Sequence, residues 1–93
     1  PVNLYVPTAF TPNNDGLNDA FSVHLSGVKD FEMWVFNRWG EEVFHTQDPL
    51  EPWIGEVNGG EHYAPNGIYN WVVRLKGFNT DAQEYTGTVQ LMR

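Results

Sequence analysis

The sequence predicts an all-β fold, an immunoglobulin-like antiparallel β-sandwich of about seven short strands, and three observations support that reading. Apolar residues recur with period two along most of the chain, no segment carries a 3.6-residue apolar stripe, and Gly, Pro and Asn interrupt the alternating runs at short intervals. A strand sends successive side chains to opposite faces, so alternation marks a run with one face in a core and one in water. Short runs of this kind, separated by turn residues, fold as two packed sheets.

Val2, Leu4 and Val6 alternate with Asn3 and Tyr5 and give a first strand that stops at Pro7. Phe21, Val23 and Leu25 alternate with Ser22, His24 and Ser26 in a second half-buried strand, and Phe31, Met33 and Val35 form the next inward set. Asn37-Arg38-Trp39-Gly40 supplies a hairpin turn, with Gly40 free to take a left-handed conformation, and residues 41–45 return. From Thr46 to Asn66 the chain is turn-rich, with Asp48-Pro49, Glu51-Pro52, Asn58-Gly59-Gly60 and Pro65-Asn66-Gly67, and Trp53 is expected to plug the core from within it. Tyr69, Trp71, Val73 and Leu75 share one face of the clearest strand. A loop over residues 77–81 leads to a last strand, residues 84–92, with Val89 and Leu91 pointing inward.

The 93 residues suffice for one domain, residues 1–93, and one core. Large rings fill such a core efficiently, and the 14 aromatic residues (four Trp, four Tyr, six Phe) do so with no cysteine and hence no disulfide or thiolate chemistry. Twelve acidic residues against five basic ones give a net charge of −7, which argues against nucleic acid or an anionic membrane as partner and permits cation binding. No apolar run approaches the about 18 residues of a membrane span, so the chain is not expected to insert into a membrane. It opens at Pro1 and reads as a monomeric piece cut from a longer precursor.

Catalytic machinery is hard to find. Ser22 and Ser26 lie on the polar face of a strand without a nucleophile elbow, and His24, His45 and His62 lack zinc-type spacing. Glu41 and Glu42 point to opposite faces, and Asn58-Gly59-Gly60 lacks the lysine and helix of a phosphate cradle. The chain is not expected to be an enzyme.

One segment is dense in oxygen: in Pro12-Asn13-Asn14-Asp15-Gly16-Leu17-Asn18-Asp19, five of eight side chains carry an oxygen ligand, and Gly16 permits a sharp turn. Calcium takes about six to eight oxygens, often from one loop. Asn13, Asp15 and Gly16 fit an EF-hand pattern, but Thr11 and Ser22 stand where its first Asp and closing Glu belong, so the loop is not an EF-hand. Two readings remain: Asn and Asp bonding the loop's own backbone as Asx-turns, which is favoured because such motifs match many loops that bind nothing, or Asn13, Asp15, Asn18 and Asp19 holding Ca²⁺. Trp34 and Phe36 are expected to face away from Met33 and Val35, with Trp39 nearby in the turn. They are covered by a second layer or by residues 48–61, or they form an aromatic platform for a protein or sugar; cover is favoured for Phe36 and neither reading is favoured for Trp34.

Four ordered motifs carry a resemblance. Phe10-Thr11-Pro12-Asn13 with Asp15-Gly16, Asn18-Asp19 and Phe21 resembles the opening signature of the gliding-motility-associated C-terminal domains, the type B sorting domains of the Bacteroidetes type IX secretion system. Phe36-Asn37-Arg38-Trp39-Gly40-Glu41 with Val43-Phe44 is similar to their second signature, Pro65-Asn66-Gly67-Ile68-Tyr69 to the third, and Gly87-Thr88-Val89 with Leu91 and Arg93 to the last. Trp53-Ile54-Gly55 departs from the usual Trp-Asp-Gly, so any role of that acid is missing, and Trp34 stands where a polar residue is expected.

The resemblance implies a module at the C-terminus of a large secreted protein such as a surface adhesin. It would fold in the periplasm, be read by outer-membrane components of the secretion system, a PorP/SprF-type protein among them, and bring its cargo to the cell surface or medium. A tag of this kind presents a folded surface, for which the candidates are Asn13, Asp15, Gly16, Asn18 and Asp19 in the first loop and Asn37, Arg38, Trp39 and Gly40 in the turn. Arg38 is the residue whose part in the turn itself is least evident. The competing reading is an extracellular immunoglobulin-like binding or adhesion module, stabilised by calcium or using exposed aromatics.

Overall fold

The computed structural model describes residues 3–12, 20–57, 62–78 and 81–92. Among them run nine strands: β1 (Asn3–Tyr5), β2 (Ala9–Phe10), β3 (His24–Ser26), β4 (Val28–Phe36), β5 (Glu42–Thr46), β6 (Glu56–Val57), β7 (His62–Tyr63), β8 (Gly67–Gly77) and β9 (Gln83–Leu91). No helix is present among the described residues, and the all-β sandwich expected from the alternation is what the chain forms.

One layer is a five-stranded sheet ordered β2-β9-β8-β4-β5. Its centre is β8, whose alternation puts Tyr69, Trp71, Val73 and Leu75 on the buried face beside Met33 and Val35 of β4 and Val89 and Leu91 of β9. The two-stranded sheet β1-β3 and the segment around Trp53 lie over that face, with Leu4, Val6, Val23 and Leu25 packed against the core. Trp53 is fully buried. Its ring meets Phe10 at 5.3 Å, Tyr69 at 5.1 Å and Phe44 at 6.4 Å, and its indole N–H donates to the Glu56 carbonyl at 2.7 Å. An aromatic with a satisfied polar end fills the centre of a small core that has no disulfide.

Three details differ from the pattern read in the sequence. Phe21 and Val23 are buried as expected, but only residues 24–26 form the strand. Phe21 instead makes an isolated bridge with Trp53, the two exchanging main-chain hydrogen bonds of 2.7 and 2.9 Å. The turn-rich stretch contains a small hairpin, β6-β7, held to the preceding turn by the Ala64 N–H donating to the Gly55 carbonyl at 2.7 Å. The sheet is also not wholly antiparallel, because β2 joins the edge of β9 in the parallel sense, Ala9 beside Gln90 and Phe10 beside Leu91. Phe10 is thereby drawn into the core against Phe21 and Trp53.

Candidate recognition site

Residues 37–41 link β4 to β5, and Asn37 organises them. Its main-chain N–H donates to the Glu41 carbonyl at 2.9 Å, and its own carbonyl accepts from Gly40 N–H at 3.0 Å. Its side-chain Oδ1 accepts from the N–H groups of Trp39 (3.0 Å) and Glu41 (2.9 Å), while Nδ2 donates to Glu41 Oε1 at 2.9 Å. This is an Asx-type turn, in which a side-chain oxygen stands in for a backbone acceptor. Gly40 sits at φ +84°, a left-handed conformation that side chains with a Cβ avoid. Asn37 and Gly40 therefore build the turn. Arg38 and Trp39 take no part in its hydrogen bonding beyond the Trp39 main chain, and the turn holds them outward.

Trp39 is 68% exposed, so it does not cap the core, and the Arg38 guanidinium lies 4.3 Å from its ring centroid. The stack fixes a cation over an indole at the tip of a rigid hairpin. Beside it runs a groove of about 500 Å³ lined by Arg38, Trp39, Val43, Val57, Ile68 and Tyr69. Two segments distant in sequence thus meet: the Asn37-Arg38-Trp39-Gly40 turn and Pro65-Asn66-Gly67-Ile68-Tyr69. The second is locked by the Tyr69 hydroxyl, which donates to the Pro65 carbonyl at 2.6 Å and leaves Ile68 53% exposed at the groove. An exposed Trp and Ile around one groove on a strongly acidic molecule are the kind of apolar patch that marks a contact surface.

Sequence reasoning singled out the turn but did not join it to residues 65–69, although each lies in its own motif. Only the sheet, which sets the start of β8 beside the end of β4 (Asn70 opposite Phe36), brings the two together.

Trp34 faces outward as expected, and its cover comes from the sheet's own outer face. The ring stacks on His45 at 5.4 Å, with Arg74 5.6 Å away, and these partners are tied by His45–Glu32 (2.6 Å) and Arg74–Glu84 (3.0 Å) contacts. Phe36 is partly covered.

Asn13, Asp15, Gly16, Asn18 and Asp19, the other recognition candidates and the whole calcium set, lie outside the described residues. Among the described residues no group of three or more His, Asp or Glu side chains is placed to hold a metal ion.

A family model described as the CHU_C type IX secretion signal domain matches residues 4–91, which covers the turn, the groove and all nine strands except Asn3, the first residue of β1. No curated protein matches the chain.

Proposed function

Because the chain belongs to the CHU_C type IX secretion signal domain family, we propose that it is a non-catalytic C-terminal sorting signal that directs a large cargo protein through the type IX machinery to the cell surface or medium. The single observation that carries this reading is the family match over residues 4–91. The outer-membrane partner, of the PorP/SprF kind, reads a folded surface, and the groove between Trp39 and Ile68 is that surface. Three features support the assignment. The groove unites two of the motifs, its exposed turn residues are the ones the turn does not need, and Arg38 places at its rim one of the five basic side chains of the whole chain. Aromatic and Arg side chains are the usual anchors of protein interfaces.

Transplantation tests the reading. Residues 1–93 fused to the C-terminus of a periplasmic reporter, in a host with a working type IX system, are expected to bring the reporter to the surface or medium. A reporter retained in the periplasm, while an established tag exports it from the same host, would contradict the proposal.

A further inference from the structure

The groove between the residue 37–41 turn and residues 65–69 is apolar inside and cationic at its mouth. Three of the residues that line it, Val43, Ala64 and Tyr69, are buried members of the core, and the Tyr69 hydroxyl is engaged with the Pro65 carbonyl. Arg38, Trp39 and Ile68 also line it and are exposed, so they stand where it opens to solvent. Its volume of about 500 Å³ lies within the roughly 300–1,000 Å³ of sites that enclose a small ligand, enough for one large apolar side chain with its neighbours.

The charge of the groove runs against that of the molecule. Twelve of the 93 residues are acidic, yet no Asp or Glu is among the described residues that line the groove, where Arg38 is the charged side chain. Glu41, which adjoins the turn, accepts from the Asn37 amide at 2.9 Å. The ion pairs among the described residues join His45 to Glu32 and Arg74 to Glu84, and Arg38 belongs to neither. Its guanidinium lies instead 4.3 Å from the Trp39 ring centroid. A guanidinium stacked on a ring keeps its N–H donors in its own plane, and that rigid fork matches the two oxygens of a carboxylate. The stack holds the fork in place before a partner arrives, which lowers the cost of ordering it on binding.

We propose that the groove takes a segment of the secretion partner in which a large apolar side chain stands beside a carboxylate, the apolar group filling the groove against Trp39 and Ile68 and the carboxylate closing on Arg38. This rests on the reading of the groove as the recognised surface and adds the chemistry of what it recognises. In an extended segment neighbouring side chains point to opposite sides, so the acidic neighbour of an inserted side chain is turned back toward the mouth, where Arg38 is exposed. The net charge of −7 repels an acidic partner at a distance and draws a basic one. The groove alone reverses that preference, so the pairing sets the place and register of docking more than its strength.

Titration of the 93-residue chain with three capped peptides at low salt, followed by NMR, tests the proposal: acetyl-Gly-Glu-Phe-Glu-Gly-amide and its Gln-Phe-Gln and Lys-Phe-Lys counterparts. The net charge by itself would rank the lysine peptide first and the glutamate peptide last. The expected result is the reverse order at the Trp39 indole and Ile68 methyl signals. The glutamate peptide should bind about two- to fivefold tighter than the glutamine peptide, with the difference shrinking as salt is raised. Arg38→Ala should remove the difference with the circular dichroism retained, and Arg38→Glu should shift the preference to the lysine peptide. Equal binding of the glutamate and glutamine peptides, a lysine peptide bound most tightly by the unchanged chain, or no shift at Trp39 and Ile68 with any peptide overturns the proposal. So do Trp39 shifts that grow with protein concentration alone, which would seat a second copy in the groove, or that appear only with phosphatidylglycerol vesicles, which would seat lipid there. Reporter export keeps the two readings apart. Export by a chain without the glutamate preference strikes the acidic segment and leaves the sorting role standing, and the preference without export does the reverse.

Discussion

At the scale of single residues, Gly87 and Trp71 set each other's identity. The indole occupies the space a Cβ would need, with ring atoms at 2.6 and 2.8 Å, and the ring is itself buried in the core. In an ordinary strand position alanine is at least as favourable as glycine. Here overpacking decides the sign, and Gly87→Ala is expected to lower stability by about 1–3 kcal/mol, read as a lower urea midpoint. A midpoint at or above that of the unchanged chain would mean that the indole yields. Gly87 thus stands in its motif for a packing reason, one invisible along the sequence because Trp71 lies 16 positions away and meets it only across β8 and β9. The turn residues were far more legible. Asn37 and Gly40 are what a tight hairpin needs, a requirement of chemistry that acts within a few positions. By the same logic Arg38 was the residue whose part in the turn was least evident, and it stands outside the hydrogen bonding of the loop.

Among the elements, the residue 37–41 turn is where structure and the proposed function separate. Asn37→Ala removes the oxygen that accepts from two main-chain N–H groups and the amide that holds Glu41. The turn is exposed, so water replaces part of what is lost and the expected destabilisation is about 1 kcal/mol. The larger effect should appear as faster amide exchange at Trp39 and Glu41, and protection equal to that of the unchanged chain would show that the backbone turn stands without its Asx support. The long strands β4, β8 and β9 were legible because one face of each is buried and the side-chain period is two, so every core position along them was named in advance. Two elements were not. β2 is a two-residue strand joined in parallel to the far end of the chain, a pairing no local pattern announces, and the β6-β7 hairpin lies in a stretch whose Pro and Gly content reads as turns. The bridge between Phe21 and Trp53 has the same cause, since its two halves are 32 positions apart.

Taken as a whole, the molecule is a sheet with one apolar face, closed by Trp53 and the β1-β3 pair, and the groove proposed for recognition is built where two turns meet at one end of that sheet. Truncating a fully buried Trp in such a core costs about 3–5 kcal/mol, a large share of the roughly 5–15 kcal/mol that holds a domain folded. Changes at the core would therefore remove export merely by unfolding the signal. Arg38 and Trp39 are different, because their side chains lie outside both the core and the turn's hydrogen bonds, and surface substitutions of that kind shift stability by no more than about 0.5 kcal/mol. The claim that a folded surface at this turn is what the machinery reads is tested most directly by the export of a reporter carrying the chain with Arg38→Ala and Trp39→Ala together, beside the unchanged chain. The expected result is an unchanged melting midpoint and circular dichroism, with the reporter held in the periplasm. Export at the unchanged level from a folded double variant would contradict it.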